Sequence, residues 1–453
     1  MKTIIIGAVA AGSKAAMKLR RLLPDSEIAI YTKDTHVSYS SCGLPYYIKG
    51  DFDDFNELLV KSPEEFEKDG VEVYLEHEVV KIQPEYNKIL VNDINGKQSF
   101  LTDYDNLIIA TGANPILPKI KNINLKNVFS VRNIEDGINI KAALKFTKSA
   151  VIIGSGYIGM EILEAFVSNE IFTTVVEMSE NIMPYLDSDM SKTVYEELSS
   201  INNGRFEFLT GQIAAELRGD CDGVKEVVTD KGNVIKTDIV IICAGVKPNV
   251  KLALDAGIEL GKNGAIRVDK YMQTNFKNIY ACGDCAEKTH IVSKDEVYIP
   301  LGSYASKEGR AAAINLAGGS EEILGILGST VTKCLDLTIS KTGLTEFQAK
   351  NSGFDAISYT VTKSDRVGYM PDADNITLKL TADKATGQLL GAQAVGSRYA
   401  DKKINALTTP ITVKMTVSEF LNNDATYAPP YSTTVDLLYN AGLGLLDKIK
   451  QSQ

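Results

Sequence analysis

A strand, a glycine-rich turn, a helix and a second strand occur twice in this chain, and the repeat constrains the fold more than any other feature. Residues 3–7 read Thr-Ile-Ile-Ile-Gly, the short apolar run of a strand buried in a parallel sheet. Gly7-Ala8-Val9-Ala10-Ala11-Gly12 follows, then a helical pattern to Leu23, a stop at Pro24, and a strand over residues 27–31. The second copy opens at residues 150–154, continues as Ser155-Gly156-Tyr157-Ile158-Gly159-Met160-Glu161, and has its next strand at 172–177. Each copy has the layout of a mononucleotide-binding unit. In such a turn the first glycine makes the reversal, the second lets backbone approach a pyrophosphate, and the third lets helix pack on strand. Backbone N–H groups and the helix dipole then hold the phosphates.

The second turn has all three glycines, Gly154, Gly156 and Gly159, and Glu177 ends the following strand. A carboxylate there accepts a hydrogen bond from a ribose 2′-hydroxyl. No lysine or arginine follows within a few positions, which favours NADH and leaves NADPH open as a second donor. In the first turn Val9 stands between Gly7 and Gly12, and Thr32 occupies the position where an acidic residue is expected. Thr111-Gly112 and Gly283-Asp284 support reading the first unit as a flavin site.

At 453 residues the chain allows about three domains of ~150 residues, each large enough for its own core. An apolar strand at 107–109 breaks into Ala110-Thr111-Gly112-Ala113-Asn114-Pro115, and a similar strand and turn closes the second unit at 239–248. A helical stretch is expected over 303–316. From about residue 326 alternating strands appear at 356–362, 375–382 and up to 395, then one helical segment over 401–420. The expected fold class is α/β: two Rossmann-like dinucleotide-binding domains, for FAD and NAD, followed by an α+β domain. The boundaries read as 1–116 and 247–325 for the FAD domain, 117–246 for the NAD(P)H domain and 326–453 for the last.

Cys42 lies in Ser38-Tyr39-Ser40-Ser41-Cys42-Gly43-Leu44-Pro45-Tyr46, just before a helix expected to begin near Gly43. A helix N-terminus stabilises thiolate, the nucleophilic form. No second cysteine follows it closely, so a redox role would run through a sulfenic acid or a mixed disulfide with a small molecule. The other five cysteines read as structural, including the pair at 282 and 285, whose intervening Gly283 and Asp284 already have a flavin-site explanation. The three histidines, 36, 77 and 290, form no ligand pattern, so no metal is expected. A net charge of −10 argues against nucleic acid as partner. No apolar stretch approaches the ~20 residues of a membrane span, and scattered cysteines fit a reducing cytoplasm.

The assembled pattern resembles the single-cysteine branch of the pyridine nucleotide–disulfide oxidoreductases, the branch of coenzyme A-disulfide reductase, NADH oxidase and NADH peroxidase. The resemblance spans essentially the whole chain. It rests on the segment around Cys42, on Val131-Arg132-Asn133 with Asp136, on Gly245-Val-Lys-Pro-Asn249 and on Tyr427-Ala-Pro-Pro-Tyr431-Ser432. Ala10 is discriminating, because oxidases and peroxidases of the family usually place a histidine there; the coenzyme A-disulfide reductases look like this chain.

The resemblance implies FAD and NADH as cofactors and Cys42 as the redox group. It further implies a dimerising C-terminal domain that gives Tyr369 and Tyr427 to the partner's site for proton delivery, in place of the family's histidine and glutamate pair. Tyr157 resembles the family's gating tyrosine. Cofactor contacts implied are Gly7, Val9, Gly12, Thr32, Lys33, Ser41, Val79, Thr111, Gly112, Arg132, Asp284 and Ala305 for FAD. For the nicotinamide nucleotide they are Gly154, Gly156, Tyr157, Ile158, Gly159, Glu177, Tyr185 and Gly245. Arg21 and Ser38 match substrate contacts, whereas Ser41, Lys14 and Lys18 depart from the residues common there. The expected reaction is reduction of a low-molecular-weight disulfide, most simply coenzyme A disulfide, by a homodimer. A persulfide or polysulfide, or oxygen through a Cys42 sulfenate, stays as the alternative acceptor.

Overall fold

Ile4, Ile5 and Ile6 have no polar residue between them, and such a strand is stable only with both faces covered. The computed structural model, which describes residues 1–452, places Lys2–Ile6 at the centre of a five-stranded sheet. Asn106–Ile109 and then Ile279–Ala281 lie on one side of it, and Glu27–Tyr31 and Glu72–Tyr74 on the other, all parallel. The first unit therefore takes its edge strand from far along the chain. Two helices cover one face: Ala10–Leu22 and Gly302–Leu316. They touch because Gly309 has no side chain; a Cβ there would sit 2.3 Å from the Ala11 carbonyl oxygen.

The second copy builds the same architecture. Ser149–Ile153 is central, flanked by Phe172–Val176 and Phe206–Leu209 on one side and by Ile239–Ile242 and Val128–Ser130 on the other, again all parallel. The chain enters and leaves this unit through two short antiparallel strands, Ala113–Pro115 and Val246–Pro248. Thr111 Oγ1 donates to the Asn249 carbonyl at 2.7 Å, so the crossing is pinned beside the first sheet.

The third five-stranded sheet is antiparallel, in the order Thr330–Cys334, Leu337–Gly343, Leu389–Gly396, Asn375–Asp383 and Ala356–Ser364. The helices Ala400–Thr412 and Leu437–Gln451 bury their apolar stripes in its core. The single helix expected over 401–420 is two, Ala400–Thr412 and Val417–Phe420. Lys414 adopts φ +60° between them, and Thr416 and Glu419 form a reciprocal capping box that restarts the helix. Among the described residues no helix is long and apolar enough to cross a membrane.

Candidate active site

The three units meet around one cavity of about 2080 Å³, into which both glycine turns open. Close packing shapes the turns. A Cβ on Gly12 would lie 1.9 Å from the Gly7 carbonyl oxygen, and one on Gly159 would lie 2.1 Å from that of Gly154. Gly156 differs, since a Cβ there would meet nothing within 4 Å. Its backbone borders open cavity at the start of the helix Tyr157–Ser168, the space a pyrophosphate needs. These features fit a dinucleotide at each turn.

Glu177 is buried. Its Oε2 accepts from Ser155 N and Ser155 Oγ, both at 2.8 Å, and Oε1 accepts from Ser179 N at 2.8 Å. The carboxylate thus holds the turn in shape while also lining the cavity. Tyr157 donates to or accepts from Thr330 Oγ1 at 2.7 Å and stacks on Tyr185 with ring centroids 3.9 Å apart. Both rings line the cavity beside the second turn.

On the other side, the Gly283-Asp284 turn rests on a buried ion pair. Lys288 Nζ lies 3.4 Å from Glu308 Oε1 and donates to the Gly283 carbonyl at 3.0 Å, while Glu308 Oε2 accepts from Gly283 N at 2.8 Å. Burial pushes the Glu308 carboxyl up to about 7. Asp284 faces Arg132 NH2 at 3.4 Å. The Tyr298 hydroxyl, also on the cavity wall, is buried without a hydrogen-bond partner. An orphaned donor beside a charged pair fits the polar ribityl and phosphate portion of a flavin nucleotide. FAD therefore fits the first unit, with Val9, Gly112, Arg132, Asp284 and Ala305 on the wall.

Cys42 sits in a short 3-10 turn, Ser41–Gly43, that runs into the helix Leu44–Lys49. Its sulfur is open to the cavity, and all six cysteines are free. Gly302 opens the 15-residue helix Gly302–Leu316, and a Cβ on it would be 3.9 Å from Cys42 Sγ. The long helix, more than the six-residue one that follows the cysteine, therefore presents its N-terminus to the sulfur. The expected low thiol pKa is not what the side chains produce. Surrounding protein atoms exclude water and raise it, and the Glu161 and Asp284 carboxyls raise it further, against the Ser41 hydrogen bond and Arg132.

Glu161 has no role in the sequence reading, yet it lines the cavity on the helix Tyr157–Ser168. Burial pushes its carboxyl up to about 7, and only a Thr332 hydroxyl at 3.1 Å opposes this. Lys49 and Lys333 both pair with Glu164 instead. The available signal was an acidic residue one turn into a helix whose only other charged residue is Glu164. Tyr298 carried no such signal, because an isolated loop tyrosine is ordinary.

Of the residues read from sequence, the cavity gathers Val9, Arg21, Ser38, Ser41, Cys42, Gly112, Arg132, Gly154, Gly156, Tyr157, Ile158, Glu177, Tyr185, Gly245, Asp284 and Ala305. Gly7, Gly12, Thr111 and Gly159 lie behind them, shaping the turns. Val79 is buried in its sheet, and Thr32 is buried with its hydroxyl accepting from Asp34 N; these two and Lys33 do not line the cavity. Tyr369 and Tyr427 are 75% and 49% exposed on the C-terminal unit, and within one chain they do not join Cys42 at the cavity.

Residues 1–309 match the pyridine nucleotide-disulphide oxidoreductase family, and residues 330–438 match the dimerisation domain of the same family. The chain is 35% identical over 439 residues to the NAD(P)H sulfur oxidoreductase (CoA-dependent) of Pyrococcus abyssi, covering 96% of each. It is 31% identical over 441 residues to the coenzyme A disulfide reductase of Staphylococcus epidermidis, covering 96% of this chain and 98% of that one. The solved structure of an NAD-dependent persulfide reductase from A. fulgidus superimposes with a TM-score of 0.96 at 32% identity, covering 100% of this chain and 84% of that one. With both glycine turns, the cysteine and the dimerisation domain in place, the chain belongs to the pyridine nucleotide-disulphide oxidoreductases, flavin-dependent enzymes that draw electrons from NAD(P)H.

Proposed function

We propose that this enzyme reduces a small anionic disulfide at Cys42, with coenzyme A disulfide or a related persulfide as substrate and NADH as the preferred donor. One observation carries the substrate class. Lys14, Lys18 and Arg21 recur at helical spacing along Ala10–Leu22, so they share one face, and they line the same cavity as Ser38 and Cys42. Lys61 joins them and already pairs with Asp69; Lys14, Lys18 and Arg21 have no carboxylate partner among the described residues. On a chain of net charge −10, a cationic ridge leading to the reactive sulfur concentrates anions there.

FAD and NAD(P)H, when bound at the two glycine turns, supply the hydride and electron transfer. The chain's own residues do the sulfur chemistry. The Cys42 thiolate attacks one substrate sulfur, the substrate S–S bond breaks, and the first thiolate leaves as a Cys42 mixed disulfide forms. Two electrons then cleave that bond, which releases the second thiolate and restores Cys42. Glu177 orients the nicotinamide nucleotide, Tyr157 and Tyr185 control its entry, and Arg132 and Asp284 border the flavin. We assign Tyr369 and Tyr427 to proton delivery across a two-fold dimer interface. The functional division is 1–116 with 247–325 for FAD, 117–246 for NAD(P)H and 326–453 for dimerisation.

The test is mass spectrometry of protein purified without reductant, paired with NADH turnover on coenzyme A disulfide. A coenzyme A adduct on Cys42 and two thiols released per NADH support the reading. A bare sulfenate with oxygen consumed in step with NADH would replace it with an oxidase.

A further inference from the structure

We infer that Asp187 is a positioning residue through which the dimerisation domain holds the nicotinamide gate in place. Tyr185 is the inner aromatic of that gate, stacked on Tyr157. Its own hydroxyl is buried without a hydrogen-bond partner, so no polar contact of the ring sets its orientation. Beyond its stacking on Tyr157 and its packing against the core, the backbone that carries it sets its place.

Two residues further on, the side chain and backbone N–H of Asp187 are anchored outside their own domain. Its carboxylate accepts from Glu346 N at 3.0 Å, Phe347 N at 3.2 Å, Gln393 Nε2 at 2.6 Å and Lys379 Nζ at 3.1 Å. Its backbone N donates to Gln393 Oε1 at 2.8 Å. Lys341 Nζ reaches the Tyr185 carbonyl at 3.5 Å. Every one of these partners belongs to the antiparallel unit.

A second observation separates this role from ordinary helix capping. Asp187 occupies the N-cap position of the helix Ser188–Ser200 but makes no side-chain cap to it, although aspartate is among the favoured residues there. It caps the helix Glu346–Asn351 of the other domain instead, through that helix's first two N–H groups. The donors hold its carboxyl below the usual range despite burial. Thr330, the partner of the Tyr157 hydroxyl, lies on the same antiparallel unit, so both gate tyrosines are referenced to one domain. The gate opens and closes against the dimerisation domain, not against the domain that binds the nucleotide.

This inference rests on reading the Tyr157 side as the nicotinamide entrance, and the experiment separates the two. Stopped-flow absorbance follows flavin reduction by NADH and, separately, reoxidation of the reduced holoenzyme by disulfide. Asp187→Asn places an amide N–H among donors and removes the charge. It should slow flavin reduction roughly tenfold, as expected for loss of about one hydrogen-bonded charge, and leave reoxidation unchanged. Asp187→Asn combined with Tyr185→Ala should be no slower than Tyr185→Ala alone, since both act through one element. Equal slowing of both half-reactions, unchanged flavin reduction, or multiplying losses in the double variant would overturn the inference. If Tyr185→Ala leaves flavin reduction unaffected, the entrance reading is what fails. Should Asp187→Asn not fold, Gln393→Leu removes one partner only and must show the same selective slowing; its absence is equally decisive.

Discussion

Replacing Glu161 by glutamine tests whether the cavity's least compensated carboxyl acts as the geometry says. In the folded chain burial lifts it from 4.5 to about 7, because the lysines of that region pair with Glu164. A carboxyl whose folded pKa exceeds its unfolded one leaves stability intact below about 4.5 and erodes it as pH rises towards 7. At about 1.4 kcal/mol per pH unit, that interval costs the native enzyme at most about 3.5 kcal/mol by pH 8. Partial solvent access at the cavity wall brings the expected cost to about 1–3 kcal/mol. Glutamine keeps the shape and never ionises, so Glu161→Gln should match the native enzyme near pH 4.5 and exceed it by that amount at pH 8. Urea denaturation of the holoenzyme at several pH values measures the difference.

A second readout comes from the sulfur. Glu161 is the largest charge that raises the Cys42 thiol, so the variant's iodoacetamide reaction with Cys42 should reach half its maximal rate at lower pH. A stability difference that does not change between pH 4.5 and 8, or an unmoved alkylation midpoint, would refute the reasoning.

Cys42→Ser should end thiol release from coenzyme A disulfide while NADH still bleaches the flavin; persistent thiol release would remove Cys42 from the mechanism. Glu177→Ala loses a charged acceptor worth about 1.5–3 kcal/mol, so the KM for NADH should rise about tenfold or more with little change in KM for the disulfide. Converting Lys14, Lys18 and Arg21 together to glutamine should raise the KM for coenzyme A disulfide and flatten its salt dependence, with turnover of an uncharged aromatic disulfide unaffected. Mixed dimers of Cys42→Ser and Tyr427→Phe chains, each inactive alone, should regain activity if the site is shared. Hybrids that form and stay inactive count against sharing.

The strands and the two glycine turns were legible because their requirements are local. An apolar run as short as residues 150–154, closed by a glycine, fits a covered strand, and a glycine at 159 is demanded by the carbonyl of Gly154 five positions earlier. The helix break near Lys414 is harder to read, since a left-handed residue other than glycine has no residue-type signal; only the Thr416–Glu419 capping box marks it locally. The isolation of Cys42 from other cysteines was legible, being a property of spacing alone. Its thiol electrostatics were not, because they depend on Glu161 and Asp284, which other segments bring to the sulfur.

Sequence by itself determined the two strand-turn-helix units with their glycine turns, the cysteine that stands apart from every other, and the acidic residue that ends the second unit's next strand. Tertiary structure alone decided that Lys14, Lys18 and Arg21 face the same cavity as that sulfur, that Glu161 stays without a cation, and that Asp187 spends its carboxylate on another domain. The reason is range. Propensity and periodicity describe neighbours a few positions apart, whereas Asp187 and Gln393 are 206 positions apart and meet only because separately formed sheets dock in one way.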